Sequence, residues 1–159
     1  WVVDVLHFSA FQFGLLTAIE MATAMIVYIP IAFLADRYGK KLFVIITFLF
    51  FTIFPLIIYY SRTFEMLIIA FIIRGLKEFG EPTRKSLILD LAPEDAKAST
   101  FGTYYLIRDT IVSLAAFSAG FLWNISPKTN FMTAFVFGAI GTAFFVLFGK
   151  EKRKSSKII

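Results

Sequence analysis

The sequence contains no cysteine and one histidine, His7. The first absence excludes a disulfide framework, thiolate metal sites and a cysteine nucleophile; the second argues against a multi-histidine metal or haem centre. No G-x-S-x-G pattern and no metal-ligand cluster occurs, so nothing supports an enzyme, and no cofactor is expected. Charge is scarce as well. Asp, Glu, Lys and Arg make up 17% of the chain, against about 25% in ordinary soluble domains. There is no acidic tail and no low-complexity stretch. No basic segment precedes a short apolar run with a cleavage site, which argues against a signal peptide. The chain starts at Trp1 and reads as a cut through a longer one. What is present in abundance is apolar: 58% of 159 residues, with 21 phenylalanines and a mean hydropathy of +0.78. A single soluble core of this length could not bury so much apolar side chain. The expected solvent is lipid.

A bilayer-crossing helix needs about 20 mostly apolar residues. Five such runs are expected, at about 13–35, 42–60, 64–82, 98–123 and 131–148, which makes the chain an all-α, polytopic membrane protein. Ser9-Ala10-Phe11-Gln12 has capping-box spacing ahead of the first run. The run at 42–60 is uncharged and contains Pro55, which a buried membrane helix tolerates as a kink. The third run is apolar to Ile73 and then polar through Glu81, ending near a Pro82 kink beyond which 86–91 extends it or lies along the membrane. Pro93-Glu94-Asp95 reads as a helix start, with proline in the first turn and carboxylates at the positive end of the dipole. Residues 124–130 read as a turn, and 150–159 as a solvated basic tail.

Lys and Arg sort by side. Eleven lie in alternate loops and the tail: Arg37, Lys40, Lys41, Arg84, Lys85, Lys97 and five between Lys150 and Lys157. Only Arg62 and Lys128 fall on the opposite side, so the C-terminus is expected in the cytoplasm and residues 1–12 outside. The net charge of +5 serves orientation and lipid headgroups, and nucleic-acid binding is not expected. Glu20, Arg74, Lys77, Glu78, Glu81, Arg108 and Asp109 lie inside spans, where each ionised group costs at least about 2.5–3.5 kcal/mol and normally faces a bundle interior or a water-filled cavity. Arg74, Lys77, Glu78 and Glu81 fall on one stripe of a continuous helix. At about 1.5 Å per residue, Arg74 and Arg108 sit roughly 15 Å inside their spans, near the midplane. Pairing of Arg74 with Glu78, and of Arg108 with Glu78 or Glu81, would offset their desolvation. Arg74 with Glu78, and Arg108 with its neighbour Asp109, fit structural or gating ion pairs and substrate contacts equally. Arg84, Lys85 and Glu81 fit interfacial snorkelling. Glu20 has no charged neighbour in its own span; it could carry a proton, or accept a hydrogen bond from Thr17, Thr23 or a tyrosine. Tyr28, Tyr104 and Tyr105 are candidate cavity groups.

Ala32-Phe33-Leu34-Ala35-Asp36-Arg37-Tyr38-Gly39-Lys40-Lys41 resembles the cytoplasmic loop signature of the major facilitator superfamily, with Ala32 in place of its first glycine. Arg74-Gly75-Leu76-Lys77-Glu78-Phe79-Gly80-Glu81-Pro82-Thr83-Arg84-Lys85 and Gly102-Thr103-Tyr104-Tyr105-Leu106-Ile107-Arg108-Asp109 are similar to prokaryotic members of that family around helices ten and eleven. The resemblance covers nearly the whole chain. It implies that residues 1–149 are most of a six-helix half-bundle, helices eight to twelve, with the N-terminal half as a missing partner; helices two to six are the competing register. The Gly-Pro ending of the antiporter signature is absent, since 115–120 contains no proline. The family implies secondary transport of a small solute by alternating access, with Asp36, Arg37, Gly39, Lys40 and Lys41 in a cytoplasmic gate and the span charges in the cavity or its gating pairs. One half of such a transporter is not expected to transport by itself. The rival reading is a non-transporting membrane scaffold or a degenerate half-transporter subunit.

Overall fold

The computed structural model describes residues 1–151, except the side chains of Asp36 and Phe79. Of the expected basic tail, Lys152, Arg153, Lys154 and Lys157 lie outside the described residues. The elements are α1 (Ala10–Tyr38), α2 (Lys40–Tyr60), α3 (Phe64–Leu76), a 3₁₀ turn (Lys77–Gly80), α4 (Glu81–Leu91), α5 (Lys97–Ile125) and α6 (Pro127–Phe148). Helices α1, α2, α5 and α6 are each long and apolar enough to cross a membrane. The chain is therefore a multi-pass, all-α membrane protein.

Local chemistry sets the helix ends. Ser9 Oγ accepts from the Gln12 N–H at 3.1 Å while Gln12 Oε1 accepts from the Ser9 N–H at 2.9 Å. This reciprocal cap starts α1 three residues earlier than hydropathy alone suggests. At its other end α1 runs on through Asp36 and Arg37 to Tyr38, so the expected loop shrinks to Gly39. That residue has φ +102°, a backbone region unfavourable to side chains with a Cβ, and it allows α2 to begin at once. Pro55 sits inside an unbroken α2.

The third expected span is broken. After α3 the chain tightens into the 3₁₀ turn and re-forms as α4 from Glu81, so the interruption precedes Pro82, which occupies the first turn of α4 where a missing N–H costs nothing. Close packing explains the position. A Cβ on Gly80 would collide with Thr47 Oγ1 and lie 3.1 Å from the Phe43 carbonyl oxygen, and one on Gly75 would lie 2.6 Å from the Glu20 carbonyl oxygen. Gly80 lets the turn press against α2, and Gly75 lets the end of α3 press against α1.

Two further boundaries differ from expectation. Pro93, Glu94 and Asp95 form a turn before α5 and are not its first residues; Ala96 is the N-cap, and Lys97 pairs back to Glu94 at 2.7 Å. The expected turn at 124–130 is the single residue Ser126, whose Oγ accepts from the Thr129 N–H at 3.0 Å. Pro127 follows as the first helical residue.

The main core joins Leu16 of α1, Ile58 of α2 and Leu67, Ala70 and Phe71 of α3. Beside it Trp1 packs against Tyr59, Phe131 and Trp123, with ring centroids 5.6, 5.6 and 6.5 Å away, and Arg62 lies 4.9 Å over the Trp1 ring. Such an aromatic cluster suits a membrane–water interface. By contrast α5 has no buried residue; Leu106, Ile111, Leu114 and Phe117 are 60–71% exposed. That surface is suited to lipid or further helices, and not to water.

Candidate functional site

Glu20 projects from the middle of α1 and Arg74 from the end of α3. The guanidinium Nε lies 3.0 Å from Glu20 Oε1, so the carboxylate that has no charged neighbour in its own helix is paired across the bundle. The Arg74 guanidinium also sits 5.4 Å from the Phe71 ring centroid and 5.6 Å from that of Phe54, and both rings present negative faces to the cation. The hydroxyls of Thr17 and Thr23 turn back to the carbonyls of Phe13 and Ile19, leaving Arg74 as the partner that satisfies Glu20. An ion pair that is only 14% exposed on the carboxylate side gains more from Coulomb attraction than a surface pair.

The expected stripe below Arg74 does not hold, because the 3₁₀ turn advances about 120° per residue instead of about 100°. Lys77 pairs with its neighbour Glu78 at 3.2 Å and lies 4.9 Å over the Phe51 ring. Arg74 does not pair with Glu78. Of the partners expected for Arg108, it does not reach Glu78 or Glu81 but binds Asp109 at 2.6 Å, with both side chains more than a third exposed. What crosses from α4 to α5 is a tyrosine. The Tyr105 hydroxyl donates to Glu81 Oε1 at 3.3 Å, and Glu81 also holds Arg84 and, at 3.4 Å, Lys85. Arg84 is 9% exposed, so it is buried in the bundle and does not snorkel to the interface. Tyr104 lines a separate cavity between α2, α4, α5 and α6. Tyr28, 40% exposed on α1, joins none of these groups.

At the end of the bundle carrying Gly39, Lys40 is 8% exposed. Its Nζ lies 2.5 Å from both Ser86 Oγ and Asp90 Oδ2 on α4, and its backbone N–H donates to the Glu151 carboxylate. Lys41 Nζ donates to the Val146 carbonyl at 3.1 Å, tying α2 to the end of α6. Arg37 stacks 5.6 Å over its neighbour Tyr38. The side chain of Asp36, expected in this gate, lies outside the described residues. Sequence reasoning missed Ser86, Asp90 and Glu151. The first two are four residues apart and so share a face of α4, a signal that was there to find; nothing in the sequence joins Glu151 to Lys40. Among the described residues, no group of three or more acidic or histidine side chains could hold a metal ion.

Membrane-length helices, a helix broken between two of them, and charges paired inside the bundle define a polytopic membrane protein with a polar interior. The family model of the Major Facilitator Superfamily matches residues 1–159, and the chain belongs to that family. It is 30% identical over 113 residues to an uncharacterized MFS-type transporter of Methanocaldococcus jannaschii, an alignment covering 70% of this chain and 28% of the relative. It is 29% identical over 135 residues to the quinolone resistance protein NorA of Staphylococcus aureus, covering 84% of this chain and 34% of the relative. The chain thus spans about a third of the length of the curated relatives it matches.

Proposed function

We propose that these residues are part of a secondary active transporter that carries a small solute across the cell membrane by alternating access, driven by a coupled proton or ion. No chemical conversion of the solute is involved. The observation that carries this reading is the Glu20–Arg74 pair, which joins α1 to α3 immediately before the helix break. A partly buried pair of this kind, 34% exposed at Arg74 and 14% at Glu20, is still costly to break by removal of one partner, so each partner becomes available to a ligand when the other is neutralised or its place is taken. A proton on Glu20 frees Arg74 for an anionic group, and an anionic group on Arg74 frees Glu20 to take a proton. The 3₁₀ turn beside the pair supplies a place for the chain to flex, since mid-helix 3₁₀ segments often mark hinges. Discontinuous helices near the midplane are a recurrent way of building transporter sites.

In this reading the Gly39 end faces the cytoplasm, as the Lys/Arg bias argues, and the Lys40–Asp90–Ser86 cluster holds the cytoplasmic ends of α2 and α4 together. The missing partner in this reading is the other half of the same chain, because alternating access needs two bundles that rock about one site; the likeness of 74–85 and 102–109 to helices ten and eleven of the family supports placing it before these residues. Residues 1–159 expressed alone are expected to give no flux. The test is uptake by the full reading frame, purified and reconstituted, across a panel of metabolites that includes a quinolone, since one relative is named for resistance to that class. Saturable, gradient-dependent uptake of one solute supports the proposal. If no solute moves although the protein is folded and correctly inserted, the protein is a scaffold.

A further inference from the structure

We propose that the cavity between α2, α4, α5 and α6 binds a single-tailed amphipathic anion, with Arg84 as the headgroup ligand. The cavity has a volume of about 320 Å³ and is walled by Val44, Phe48, Leu87 and Phe145, with Arg84, Thr100 and Tyr104 as polar lining. It is distinct from the Glu20–Arg74 pair: neither Glu20 and Arg74 nor the Phe54 and Phe71 rings beside them line it. Three observations point to the ligand class.

The first is an unmet donor. Arg84 is 9% exposed, and its Nε–H has no hydrogen-bond partner among the described residues. A buried polar group of this kind normally has a partner, and a guanidinium presents a fork of donors suited to a carboxylate or phosphate. The second is a shared partner. Glu81 is shared by Arg84, Lys85 and the Tyr105 hydroxyl, so Arg84 does not have that carboxylate to itself. The nearby Lys40 does not need that carboxylate because Asp90 matches it. The third is the wall. Aliphatic and aromatic side chains leave little to bind a small hydrated anion but offer a dry surface to a hydrocarbon chain. The volume lies at the lower end of the range of ligand sites, which is about 300–1,000 Å³, and so suits one tail.

Carboxylate and phosphate heads share this chemistry, and a fatty acid and a lysophospholipid are the two membrane sources. The full-length protein, purified in detergent, would be labelled with a photoactivatable oleate analogue, and the label located by peptide mapping. Oleate, oleoyl-lysophosphatidylglycerol and uncharged methyl oleate would then compete. Labelling on peptides of α2 and α6 is expected, with at least one charged competitor about tenfold more effective than methyl oleate, equivalent to about 1.4 kcal/mol. A stronger effect of oleate identifies a carboxylate ligand, and of the lysophospholipid a phosphate ligand. Arg84→Gln should abolish the advantage of the charged competitors and Arg84→Lys restore part of it. Should Arg84→Gln fail to fold, Val44→Phe fills the cavity while leaving every charged residue in place and should remove the labelling. Equal competition by methyl oleate, or labelling that survives Val44→Phe in folded protein, overturns the proposal. None of these readouts depends on transport.

Discussion

Glu20 shows how far one residue's meaning depends on its neighbours. Read along the chain it is an isolated carboxylate in an apolar helix; in three dimensions it faces Arg74, 54 positions away and 3.0 Å distant. No periodicity within one helix encodes that contact, which is why the sequence suggests pairing of Arg74 with Glu78 instead. The residue types were legible, since charges inside a span must be compensated, but their partners were not. Removing one member of the pair exposes the other. Because Arg74 is one-third exposed, the full cost of about 3–5 kcal/mol for a buried pair is reduced by solvent. Glu20→Gln or Arg74→Gln should each destabilise the full-length protein by about 1–3 kcal/mol, while the double variant should lose less than the sum of the two. Thermal melts of the three variants form the double-mutant cycle that checks this. Additive losses would show that the pair is not coupled.

Helix ends and breaks depend on contacts of a different kind. Hydropathy locates the apolar runs, but the boundaries move wherever a cap or a close approach takes over. Ser126 before Pro127 is an N-cap followed by a first-turn proline, a pattern readable in the sequence though it sits within a polar run that resembles a turn. The 3₁₀ break at Lys77–Gly80 was not readable, because it depends on Gly80 meeting Thr47 of another helix. Gly80→Leu should therefore cost at least the roughly 1–3 kcal/mol of an overpacked core, measured as a lower melting temperature with loss of monodisperse protein. If it is tolerated, the turn does not pack as described. Gly39→Ala tests the α1–α2 junction in the same way. At φ +102° a Cβ adds strain of order 1–3 kcal/mol, so melting should fall, and a neutral result would mean that the junction can relax. Glu151→Gln removes a negative charge from the N-terminus of α2, where such a charge contributes about 0.3–1 kcal/mol. Its effect should be small and should shrink further at high salt.

Taken as a whole, the molecule divides into a packed interior of α1 to α4 and an open flank formed by α5. Arg108 and Asp109 lie on that flank, exposed beside apolar residues, an arrangement lipid alone would not favour. In the proposed full-length transporter this flank meets helices that precede these residues. The Ser113→Cys thiol should then be shielded from membrane-permeant thiol reagents in the folded full-length protein and become reactive once that protein is partly unfolded. Equally fast labelling before and after unfolding would mean that no helix covers the flank. The decisive measurement is proton movement in proteoliposomes carrying the full-length protein and an internal pH dye, on addition of each solute that it takes up. Solute-dependent proton flux by the wild type, with uptake down its gradient retained but proton flux lost in Glu20→Gln, is the predicted result. Proton flux of undiminished size in folded Glu20→Gln would contradict the role given to the Glu20–Arg74 pair.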